Sequence, residues 1–163
     1  MAKHNTKSEG HWRRSSKLND DIFNIMRKDE GALNPSSIIA TIDEDGSPHT
    51  APFGSLHALT PTTMRFVIHR YHDTLANILR DERVMVCLVC PPDIAISIRG
   101  RANVIDNPWE IDERYALTEI TIEEVKNDMP ISISIESGIN ISATGPFQDW
   151  WAACWKKLQK PSE

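Results

Sequence analysis

The sequence predicts a mainly β protein with peripheral helices, built on a six-stranded antiparallel sheet that forms a closed or split β-barrel. Three observations predict it. Apolar, β-branched runs recur from Ser37 to Ile105, each bounded by Gly, Pro, Asp or Asn. Helical spacing is confined to short stretches beside them. A chain of 163 residues that is 40% hydrophobic can build one domain around one core. A sheet of that size with few helices is most economically closed on itself.

Composition narrows the function classes. A charged fraction of 25% is ordinary for a globular protein, and a net charge of -5 argues against a nucleic-acid partner. No apolar run approaches the about 18 residues of a membrane span, so no membrane partner is expected. The polar start carries Lys3, Lys7, Arg13, Arg14 and Lys17 without an apolar centre, unlike a secretory signal, and a cytoplasmic location is the expectation. Three cysteines suit a reducing compartment. Cys87 and Cys90 lie three apart in a strand-like run, on opposite faces, and are expected to be buried apolar residues rather than a redox or metal pair.

Residues 1–17 are expected to form a mobile arm, and 18–163 a single domain ending in a helix. Leu18, Ile22, Ile25 and Met26 recur at helical spacing, with Asn19 or Asp20 as N-cap and Gly31 as a stop. Two runs, one ending at Ile42 and one from His49 to Leu59, flank Asp45-Gly46 and read as a hairpin. A turn at 60–63 leads to a strand over 64–69, a helix over 74–81 and a strand over 83–90. Pro91-Pro92 breaks the chain before a strand over 94–105. Residues 106–128 hold eight acidic and two basic residues and read as one or two solvated helices. The alternation of "ISISIES" predicts a half-buried strand, with a shorter edge piece in "GINISATG". The tail is helical, with Phe147, Trp151, Cys154 and Leu158 on one stripe and lysines at its end.

One corner concentrates polar chemistry. Strand 64–69 breaks into His69-Arg70-Tyr71-His72-Asp73-Thr74 before helical spacing opens at Leu75. A helix N-terminus offers free backbone N–H groups and partial positive charge, both suited to an anion. Thr74 adds a hydroxyl, and His72 and Arg70 add charge-assisted donors. The plainer reading is a decorated turn with Asp73 as N-cap and solvated histidines. His49 and His57 equally suit a strand surface, and Arg99 and Arg101 suit an exposed one. The tryptophans at 150, 151 and 155 suit packing on the barrel or a partner more readily than stacking on a ligand. No G-x-S-x-G, H-E-x-x-H or dinucleotide fingerprint is present, and no metal site is expected.

The segment 38–105 resembles the FMN-binding split barrels related to pyridoxamine 5'-phosphate oxidase. The resemblance is carried in order by "ATIDEDGSPHTAPFG", by "MRFVIHRYHDTLANILRDERVMVCLV" and by "ISIRGRANVI". It implies a six-stranded antiparallel split β-barrel, a homodimer, and FMN lying across the dimer interface. It further implies that Ala51, Pro52 and Phe53 line the flavin ring and that Val67 and Ile68 flank it. His69, Arg70, His72, Asp73 and Thr74 would then form the phosphate corner.

Two departures stand out. Asp73-Thr74 occupies the place where relatives often carry a basic pair, and a carboxylate repels phosphate unless Arg70 compensates. The C-terminal basic residues with which pyridoxamine phosphate oxidases grip substrate have no match in "SATGPFQDWWAACWKKLQK". The resemblance therefore implies a flavin-dependent oxidoreductase acting on an unidentified small molecule, with no catalytic acid or base named on the protein. A flavin or haem carrier or sensor without turnover, and a deazaflavin-dependent reductase, are the alternatives.

Overall fold

The computed structural model describes residues 12–159. Its elements run β1 (Arg14–Ser15), α1 (Asp20–Met26), β2 (Ser37–Ile42), β3 (Pro48–Phe53), β4 (His57–Thr60) and β5 (Thr63–His69). They continue with α2 (Asp73–Arg80), β6 (Arg83–Cys90), β7 (Ile94–Asp106), β8 (Tyr115–Asn127) and α3 (Gly145–Leu158). All pairings are antiparallel, in the order β3-β2-β6-β7-β8-β5-β4, with β1 added on β8. The ends β3 and β4 do not pair, so the barrel is split, as expected from the sequence, with eight strands instead of six.

Alternation builds the interior. Val84, Val86 and Leu88 of β6 point inward while Arg83, Met85 and Cys87 point out. Leu18, Ile22 and Met26 close one end of the barrel, and the Asn19 side chain caps α1 by accepting from Ile22 N at 2.9 Å. β5 is buried on both faces. Met64, Phe66 and Ile68 join the barrel core, while Val67 joins a second cluster with Leu117, Trp109 and the buried side of α3. That double burial explains the unbroken apolar run.

Several expectations are corrected. Residues 115–127 form β8, not a helix, because their acidic side chains belong to a two-residue alternation. Ile120 and Ile122 face the core, and Glu123 faces outward to meet Arg101 at 2.6 Å. "ISISIES" forms no strand: Ser132 adopts φ 62 and interrupts the extension, leaving Ile131 82% and Ile133 57% exposed. The segment 130–144 instead crosses the barrel as a strap. The run from His49 to Leu59 divides into β3 and β4 at Gly54-Ser55. Cys87 is exposed, on the outer face of β6. Of the expected arm, residues 1–11 lie outside the described residues, whereas Arg14 and Ser15 pair with Lys126 and Val125 and Trp12 packs on the core. No described helix is long and apolar enough to cross a membrane.

Candidate functional site

A cavity of about 360 Å³ opens on the outer face of β5, between the end of β3 and α3. Pro52, Phe53, Gly54 and Ser55 form one side, Val67 the floor, and Tyr115, Phe147, Trp150 and Trp151 an aromatic wall. Leu33 and residues 141–144 of the strap complete it. No lining side chain is charged. Apolar walls with a few hydroxyls suit a flat, uncharged ring.

Secondary contacts hold these walls. The Ser55 hydroxyl accepts from Val67 N and donates to Val67 O, both at 3.1 Å, which ties the β3–β4 corner to β5. Lys28 Nζ donates to the carbonyls of Gly54 at 2.8 Å and Leu33 at 3.3 Å, and burial pushes its ammonium down to about 7. Tyr115 and Trp150 lie 4.5 Å apart between ring centroids, and Trp150 Nε1 donates to Asp112 at 2.8 Å. Asp112 is held ionised by Arg114, far below the usual carboxylate range. Arg65, 3% exposed, donates to Glu119 at 2.8 Å and to the Leu158 carbonyl at 3.3 Å, fastening the end of α3. His57 is buried beside it, its ring 4.9 Å from that of Trp155.

The expected site residues fall into separate places. Pro52, Phe53 and Val67 line the cavity. Ala51 and Ile68 do not; both pack in the barrel core, as Phe53, on the same face of β3 as Ala51, also does where it reaches the cavity. His69 packs between the rings of Tyr71 and Tyr115, at 5.6 and 5.5 Å. Arg70 donates to Asn107 Oδ1 at 2.8 Å and the Glu113 carbonyl at 3.2 Å, bracing the turn before β8. The N-cap of α2 is His72, whose Nδ1 accepts from Thr74 N at 3.1 Å; Asp73 is the first helical residue. Thr74 is fully buried, with an unpartnered hydroxyl. Asp73 lines a groove with Asp43, Glu44 and Asp45, not the aromatic pocket.

Sequence reasoning missed Leu33, Gly54, Ser55, Tyr115 and the strap. The tryptophans carried the usable signal: Trp150 and Trp151 both pack α3 and face the cavity. Phe147, expected on the buried stripe, is 37% exposed and lies at the cavity wall.

Fold and site define a split-barrel protein with an aromatic-walled pocket on its outer face. The chain belongs to the pyridoxamine 5'-phosphate oxidase family, whose family model, described as "Pyridoxamine 5'-phosphate oxidase", matches residues 31–131. Among solved structures it is similar to a candidate pyridoxamine 5'-phosphate oxidase from Lactobacillus delbrueckii, at 21% identity and TM-score 0.56, covering 70% of this chain and 98% of that one. Group A Streptococcus HupZ aligns at 14% identity and TM-score 0.55, over 77% of this chain and 99% of that one. A candidate pyridoxamine 5'-phosphate oxidase from Listeria innocua aligns at 15% and 0.52, over 67% and 96%. Likeness at these identities shows the fold. No curated protein matches the chain.

Proposed function

We propose that this chain holds a flavin-class ring in the pocket beneath α3 and works as a small flavin-dependent oxidoreductase on an unidentified small molecule, as a cytoplasmic homodimer. The observation that carries the reading is the union of Pro52, Phe53 and Val67 with the Tyr115–Trp150 wall in one uncharged cavity. A bound flavin supplies hydride or electron transfer. The protein's part is to sandwich the ring, exclude water and fix its orientation through the backbone of Gly54 and Ser55. FMN is the form that family resemblance implies, and its ring suits the lining. At the corner its phosphate would meet Arg70, whose guanidinium is bonded only to neutral acceptors, and the like charge of Asp73. The unpaired edges β3 and β4 and the exposed Ile131 and Ile133 support a two-fold partner.

The polar side-chain functions of the lining are the hydroxyls of Ser55, Tyr115, Ser142 and Thr144 and the indole N–H groups of Trp150 and Trp151. That favours, as a second reading, a flavin carrier or sensor without turnover. Absorption of the purified protein and quenching of its tryptophan fluorescence by added flavin test the pocket. Flavin bands, or quenching that Trp150→Ala weakens, are expected; a haem Soret band, or no response to flavin, overturns both readings. Anaerobic reduction of the bound flavin by a nicotinamide donor separates enzyme from carrier.

A further inference from the structure

The turn between β3 and β4 uses its carbonyls and its amides differently. The Gly54 and Leu33 carbonyls accept from Lys28 Nζ, at 2.8 and 3.3 Å, and the Ser55 carbonyl accepts from His57 Nδ1 at 3.2 Å. Among the described residues, the Gly54 and Ser55 amides donate to no protein acceptor. The Gly54–Ser55 peptide is trans, so its N–H points opposite to its carbonyl, away from Lys28. Gly54 and Ser55 line the cavity, whereas Lys28 does not. The turn therefore faces its carbonyls toward basic side chains and keeps N–H donors for the acceptor edge of a ligand.

Lys28 brings a charge to this arrangement. It shares a surface groove with Arg27, Asp29 and Glu30, but its ammonium is bonded to the two neutral carbonyls and, among the described residues, has no carboxylate partner. The other charges nearby are balanced. Arg27 and Asp29 are exposed and of opposite sign, Glu30 pairs with Lys156, and Arg65 pairs with Glu119. Across the cavity Asp112 pairs with Arg114. His57 is held neutral, chiefly by burial. An uncompensated positive charge thus stands behind the peptide that edges the pocket, and its bond to the Gly54 carbonyl polarises that peptide.

A ring in contact with Gly54 lies within roughly 8 Å of the ammonium, inside one Debye length. A flavin that takes a hydride, two electrons and one proton, from a reduced nicotinamide gains one negative charge near neutral pH, on its pyrimidine edge. The nicotinamide leaves as its oxidised, cationic ring. The oxidised flavin ring is neutral, so a fixed positive charge favours the reduced one.

We propose that Lys28 sets the redox balance of the pocket: its ammonium, acting through the Gly54 carbonyl, stabilises the anionic reduced form of a bound flavin over the neutral oxidised form. This rests on the flavin reading of the pocket. Lys28 does not touch the ring, and its influence is carried by the Gly54–Ser55 peptide.

The test loads full-length wild type, Lys28→Met and Lys28→Arg with FMN and measures the two-electron potential in anaerobic dithionite titrations with an indicator dye, at pH 7 and pH 9. At pH 7, Lys28→Met should favour reduced over oxidised FMN about tenfold less than wild type, a potential lower by about 30 mV. Burial pushes the Lys28 ammonium down to about 7, so the charge is lost as pH rises and the gap should close by pH 9. Lys28→Arg should match wild type at pH 7 and keep its potential relative to free FMN at pH 9. Should the variants not fold, wild type decides alone: its potential relative to free FMN in the same buffer should fall between pH 7 and pH 9, and a constant difference overturns the inference. Equal potentials of wild type and Lys28→Met at pH 7, or a gap unchanged at pH 9, also overturn it and leave the pocket reading intact. Failure of FMN to quench the tryptophan fluorescence of wild type refutes the pocket reading and the inference with it.

Discussion

Asn34 and Ile141 are joined by two 2.8 Å hydrogen bonds: the Asn34 amide nitrogen donates to the Ile141 carbonyl, and its oxygen accepts from Ile141 N. One side chain thus imitates a paired strand and pins the strap where it walls the pocket. Asn34→Ala should cost about 1–2 kcal/mol of stability, since both bonds are solvent-exposed. It should weaken flavin binding by more than that loss alone explains. Thermal unfolding with and without flavin checks both.

Arg65 should be the costliest polar residue to remove beneath α3. Arg65→Met strands the Glu119 carboxylate and the Leu158 carbonyl, and should lose about 3 kcal/mol. Adding Glu119→Leu should recover most of the loss, because the unpaired charge is gone. A double-mutant cycle in urea measures the coupling.

His57 sets a pH dependence. Burial, the largest cause, holds its imidazole down at about 4 against an ordinary 6.5. Between those values the unfolded chain binds the proton and the folded chain does not. Stability from this residue is therefore complete above about 6.5 and declines as pH falls toward about 4, by up to on the order of 3 kcal/mol. His57→Phe should flatten that slope in urea unfolding followed from pH 4 to 7.

Trp151, 2% exposed, should behave as a core residue: Trp151→Ala should cost about 3–5 kcal/mol. Phe147, 37% exposed, should cost less than about 1 kcal/mol when changed to Ala, yet alter flavin affinity. Paired melting curves and titrations test this separation of packing from binding.

The strands from 37 to 106 and the helix at 73–80 were legible because local alternation, turn residues and the switch to helical spacing agree there. β8 was not, since Glu119, Glu123 and Glu124 look like a solvated helix face until Arg65, Arg99 and Arg101 stand beside them. The strap misled in the opposite sense: its isoleucines alternate like a strand, but Ser132 turns the backbone. Pro52, Phe53 and Val67, which line the cavity, are among the residues to which the family pattern points. Apart from the tryptophans, the rest of the lining depends on where α3 and the strap dock, a long-range matter with no local sequence signal.

The two hydrophobic clusters on opposite faces of β5 have an energetic consequence. Trp151, Cys154, Trp155 and Leu158 share no cluster with the barrel interior, so α3 can lift away as a separate foldon while the interior stays dry. Its amides should exchange with deuterium through such partial openings, well before those of β6 and β7. A ring seated against Trp150 and Trp151 closes that route. Part of its intrinsic affinity is therefore spent holding the helix down, and any covering surface that docks α3 first would raise the apparent affinity without touching the ligand.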